Sequence, residues 1–116
     1  MIKKHLEKKL EIYLEKENYE RDDSFLLEYY LLEHVITGFD ELDGKTAYGI
    51  EIVKKAMGKD DETATVKNLS CCKEKVVKIL ENLSRNTVTP VGMPYVLDDM
   101  LGIWSYNMCS YSIEQV

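Results

Sequence analysis

Near the N-terminus, apolar residues recur at Ile2, Leu6, Leu10, Tyr13 and Leu14, with lysines and glutamates between them. That helical spacing predicts an amphipathic helix from about Ile2 to Glu17. Leu10, Ile12 and Leu14 also alternate, which keeps a strand as the alternative. Asn18 to Ser24 is polar and acidic and reads as a connection. The run from Phe25 to Ile36 fits a helix through Leu26, Leu27, Tyr30 and Leu31. Its aromatic and branched content favours a strand over about Leu26–Ile36. Asp43-Gly44 then supplies the positive φ of a tight hairpin turn, and a second strand follows over about Thr46–Lys54. There Tyr48, Ile50 and Ile52 share one face and Ala47, Gly49 and Glu51 the other. Only one face is clearly apolar, so helices should cover that side and water the other.

After a charged loop with Gly58, Thr63–Leu69 reads as a third, short strand. Ser70 stands where a helix N-cap belongs. Beyond it Cys72, Val76, Ile79, Leu80 and Leu83 form one stripe, with Glu74/Lys78 and Glu81/Arg85 as i,i+4 pairs on the surface. Pro94 suits the first turn of a last short helix and Gly102 its end. The expected fold is α+β: a small antiparallel sheet of about three strands with helices on one face. The chain reads as a single domain over 1–116, with an N-terminal helix (1–18), a core (26–102) and an aromatic tail (103–116).

Composition and charge narrow the function. At 116 residues the chain can bury a core of its own without metal or disulfide staples. No apolar stretch reaches the roughly 20 residues of a membrane helix, and no hydrophobic segment follows the basic start, so a cytoplasmic address is expected. The net charge is −6. An acidic balance disfavours nucleic acids and anionic membranes as partners. It is uneven: ten acids between Glu15 and Asp43 face only Lys16 and Arg21. Such a stretch is a solvated edge, or a docking surface for a basic protein.

Candidate chemistry is thin. Asp98 and Asp99 are neighbours, but adjacent helical residues diverge by about 100° and do not face one reacting centre. His5 and His34 have no partner at ligand or triad spacing. The three cysteines, Cys71, Cys72 and Cys109, do not match zinc-ligand spacings, and reduced thiols are the default for a cytoplasmic protein. Cys71 lies at the start of the expected helix, where the helix N-terminus favours thiolate, and is the one candidate for a reactive thiol. There is no phosphate-binding glycine loop and no nucleophile elbow. No catalytic residue, metal ligand or cofactor follows. Eight tyrosines and one tryptophan suit cores and interfaces alike; Trp104, Tyr106 and Tyr111 of the tail are the candidate interface residues.

Three segments carry a resemblance: Ala47-Tyr48-Gly49-Ile50-Glu51-Ile52, Val66-Lys67-Asn68-Leu69-Ser70, and Asn86-Thr87-Val88-Thr89-Pro90-Val91 with Val96-Leu97-Asp98-Asp99-Met100-Leu101. Through them the chain resembles, over 26–102, a family of small proteins of unknown function from clostridia and related Firmicutes. The resemblance implies a bacterial cytoplasmic protein and supplies no activity and no site residues. The expectation is therefore a non-enzymatic regulatory or adaptor protein that binds another protein, with a homodimer as the simplest case. The alternative is a small-ligand or thiol-redox sensor with a pocket between sheet and helices.

Overall fold

The computed structural model describes residues 2–12, 24–37 and 44–104, with side chains to residue 100. Four strands form one antiparallel meander, β1 (Lys3–Ile12), β2 (Phe25–Val35), β3 (Thr46–Ala56) and β4 (Glu62–Ser70), in the order β1-β2-β3-β4. Two helices follow, α1 (Lys73–Arg85) and α2 (Met93–Trp104). The architecture is α+β as expected, with four strands where about three were expected.

The additional strand is β1. Its segment was expected to be helical, yet it pairs with β2 from Lys3↔Glu33 to Ile12↔Phe25. The physical reason is a bulge between Leu6 and Lys8. It inserts Glu7 and moves the later residues to the opposite face. Leu6 therefore lies on the open face with Tyr30, while Leu10 and Ile12 lie on the helix face with Leu27 and Phe25. The interrupted alternation hides the strand signature and leaves a four-residue spacing that a helix shares.

β2 and β3 form the centre of the sheet, in unbroken register from Phe25↔Ala56 to Val35↔Thr46. Gly44 has φ 84°, as the expected turn requires. The ladder closes at Ile36 and Lys45, where the Ile36 N–H donates to Lys45 O (2.8 Å) and the Gly44 N–H to Ile36 O (2.9 Å). The connection is thus a loop longer than a two-residue turn; residues 38–43 lie outside the described residues.

On the helix face Leu27, Tyr29 and Leu31 of β2, Ile50 and Ile52 of β3, and Val66 and Leu69 of β4 form one core with the helices. The α1 stripe Val76, Ile79, Leu80 and Leu83 is buried there, as are Met93 and Leu97 of α2. Each such large apolar side chain contributes about 1.5–3 kcal/mol on burial. Truncating one to alanine costs about 2–5 kcal/mol.

α1 starts later than expected. Cys72 takes the N-cap position and makes no side-chain cap. Ser70 instead accepts the Cys72 N–H at 3.0 Å, two residues away. At the other end Thr87 adopts φ 54°. Its N–H donates to Ser84 O (3.1 Å) and the Val88 N–H to Leu83 O (3.0 Å). That pair of bonds is a Schellman motif, with threonine where glycine is usual. Pro94 falls in the first turn of α2 as expected, but α2 runs past Gly102 to Trp104.

Gly49 explains how β3 and β4 meet. The register shifts between Tyr48 and Ile50, so β4 folds in over Gly49. A Cβ there would lie 2.1 Å from Val66 O and 2.4 Å from Lys67 O. Only glycine permits that approach.

Candidate docking cleft and open sheet face

α1 packs on β2, β3 and β4, and the outermost strand on the other side, β1, is left beside an open cleft. The cleft is about 630 Å³ in volume and lies between β1 and the later turns of α1. Leu10 and Ile12 of β1 and Val77 and Leu80 of α1 give it an apolar floor. Lys8 and Arg85 stand at its rim with Glu7 and Glu81, and Thr87, the residue with left-handed backbone, closes one end. Ile2 through Lys9 are all exposed. Among the described residues β1 pairs only with β2 and is the edge strand beside this cleft.

Among the described residues no helix packs on the opposite face of the sheet, and its centre is a polar network. Glu28 accepts the Tyr30 hydroxyl (3.0 Å) and pairs with Lys55 (3.2 Å), both at Oε1. Diagonally across, Glu51 accepts the Thr65 hydroxyl at 2.9 Å and pairs with Lys4. The Lys4 ammonium also sits 4.2 Å from the Tyr30 ring centroid, a cation–π contact that links the two pairs. Burial pushes the Glu28 carboxyl up, but the Tyr30 hydrogen bond and Lys55 outweigh it and hold the carboxyl below its usual value. Burial and the neighbouring Glu28 push the Tyr30 phenol up. Glu28 belongs to the acidic stretch read as solvated, yet it is only 7% exposed. Lys9 stands opposite it on β1 and Lys55 pairs with it from β3, neighbours that sequence distance conceals. The faint signal was the shared face of Glu28 and Tyr30 with Glu51 on the neighbouring strand.

The family-like segments turn out to be structural joints. Tyr48-Gly49-Ile50 and Val66–Ser70 meet at the β3–β4 register shift. Asn86 to Pro90 forms the α1–α2 connection. There the Tyr29 hydroxyl, fully buried in the centre of β2, donates to Val88 O at 2.8 Å. Thr89 accepts the Met93 N–H at 3.0 Å through its carbonyl and leads the chain into α2.

Other sequence candidates scatter. Asp98 and Asp99 are exposed on α2. His5 lies on β1, not on a helix, and is exposed. His34, late in β2, has a buried Nδ1 without a hydrogen-bond partner; burial and the nearby Lys67 push its pKa down. Cys71 does not begin α1. It precedes the N-cap and packs half-buried against Ile36 and Ala47. Cys72 is a free thiol. With helix geometry starting only at Lys73, the helix-terminus argument for a Cys71 thiolate loses its basis. Neither cysteine lines the cleft. Trp104 ends α2; Tyr106 and Tyr111, like Cys109, lie outside the described residues. Among the described residues no three His, Cys, Asp or Glu side chains are grouped to hold a metal ion. No helix among them is long and apolar enough to cross a membrane.

Fold and site together define a small sheet-and-helix domain with an apolar-floored cleft beside β1, the first strand of the described sheet. The chain belongs to a family of unknown function, DUF6514, whose model matches residues 8–102. The match begins within β1 and takes in its later half, residues 8–12. No curated protein and no solved structure matches the chain.

Proposed function

We propose that this is a non-enzymatic regulatory or adaptor protein of the bacterial cytoplasm that acts by binding another protein. The β1–α1 cleft is its contact surface. One observation carries the reading: α1 packs over β2 to β4 and leaves an apolar floor between β1 and its own later turns. Such a floor, lined also by Glu7, Lys8, Glu81 and Arg85, is a groove in which a partner segment buries apolar side chains and gains ion pairs at the rim. The acidic net charge supports a protein partner over nucleic acid or an anionic membrane. A photo-crosslinking residue at Arg85, on the cleft rim, tests this in the source cell, with the exposed Lys59 of the β3–β4 hairpin as control. A discrete adduct from position 85 and none from 59 is expected. Equal labelling at both positions, or none, would overturn the reading.

A thiol-redox sensor is the second reading, and the adjacent half-buried Cys71 and Cys72, the latter a free thiol, favour it. It expects the melting temperature to change on reduction, with Cys71→Ser insensitive. A melting curve indifferent to reductant removes it.

A further inference from the structure

We propose that β1 pairs with β1 of a second copy, antiparallel about a two-fold axis normal to the sheet, joining the two sheets edge to edge. This goes beyond the cleft reading: it uses the outer edge of β1, whereas the cleft's partner occupies the apolar floor between β1 and α1.

Lys3, His5, Lys8, Leu10 and Ile12 lie on the helix side of β1, and Lys4, Leu6, Lys9 and Glu11 on the open side. A two-fold axis normal to the sheet keeps each residue on its own side, so only like-faced residues can stand opposite one another. The bulge at Glu7 shifts the alternation by one residue. The register that then matches faces along the whole strand sets Lys3 opposite Ile12, Lys4 opposite Glu11, His5 opposite Leu10, and Leu6 opposite Lys9. Glu7 meets Lys8 of the second copy across the axis, and the two bulges lie side by side.

Charge selects the same register. Both carboxylates of each strand, Glu7 and Glu11, stand opposite a lysine, and no like charges are directly opposed. Sliding the copies by two residues one way sets Lys4 opposite Lys9 and His5 opposite Lys8. Sliding the other way takes the bulges out of line. Lysines and bulges ordinarily guard a sheet edge against stray strands. Here they reject a flat or basic strand and accept the chain's own copy. Pairing also brings the two β1–α1 clefts together across the axis.

Sedimentation velocity over a dilution series of the full chain tests the pairing. Wild type is expected to dimerise. Glu7→Lys and Lys8→Glu each turn two attractive cross-axis pairs into repulsive ones, and each should weaken the dimer about tenfold or more. Both residues are exposed, and unchanged circular dichroism would show that the variants stay folded. An equimolar mixture of the two variants should recover association, because positions 7 and 8 are then both basic on one copy and both acidic on the other. The double variant should recover it too. A wild type that stays monomeric at every concentration overturns the proposal. So do single variants that dimerise like wild type, or a mixture that stays monomeric.

Discussion

Replacing Tyr29 by phenylalanine keeps the ring in the core and removes one oxygen. The hydroxyl is the link between the central strand and the α1–α2 connection, donating to Val88 O at 2.8 Å. Tyr29 is fully buried and Val88 nearly so, so water has little access to the carbonyl left behind. Losing one partner of a buried hydrogen bond costs about 1–3 kcal/mol. For a domain of this size each kcal/mol lowers Tm by roughly 4–8 °C. Alkaline pH provides a second readout. Burial pushes the Tyr29 pKa up to about 12, above the unfolded value near 10. A folded pKa raised above the unfolded one gives stability that is complete below about pH 10 and is lost as pH rises through the folded value. Tyr29→Phe should therefore melt lower at neutral pH and lack that part of the alkaline decline. Urea titrations at neutral pH and above pH 10 measure both. A variant as stable as wild type, with the same alkaline decline, would refute the account of this link.

Further outcomes follow from other joints. Gly49→Ala sets a Cβ 2.1 Å from Val66 O, a paired backbone that cannot move aside; denaturant titration should show a loss of about 3 kcal/mol or more. Gly92→Ala, whose nearest neighbour would be 3.6 Å away, should change stability little. Thr87→Gly should stabilise by about 1 kcal/mol in thermal melts, because a branched residue is replaced in the left-handed position of the α1 cap. Glu28 has a lowered folded pKa, so its contribution is present above its unfolded value near 4.3 and is lost as pH falls through the folded value. Glu28→Gln should flatten the acid limb of a stability–pH profile, and an unchanged limb would contradict the Tyr30 and Lys55 pairing.

The central hairpin was legible because β2 and β3 each bury one regular face, and α1 because its apolar stripe is uninterrupted. β1 was not. Nearly every residue of it is exposed, so burial imposes little pattern on it, and the Glu7 bulge breaks what alternation there is. The cleft shares that fate. Leu10 and Ile12 become its floor only once β1 is known to be a strand, and Val77 and Leu80 join them through tertiary contact alone. The open-face network was hidden for a related reason. Lys4, Glu28, Glu51 and Lys55 come from three strands, and their pairing depends on a register that the sequence leaves undefined. The sequence did expose Asn86 to Pro90 as a marked segment; its role as a cap and anchor emerged with the Tyr29 contact.

The claim that the β1–α1 cleft is the working surface meets its most direct test in amide hydrogen exchange of the full chain, alone and with its purified binding partner. The account predicts added protection concentrated in β1 and in residues 77–87. Protection centred on β4, or on the exposed Val91 before α2 and Tyr95 in its first turn, with β1 unchanged, would contradict it.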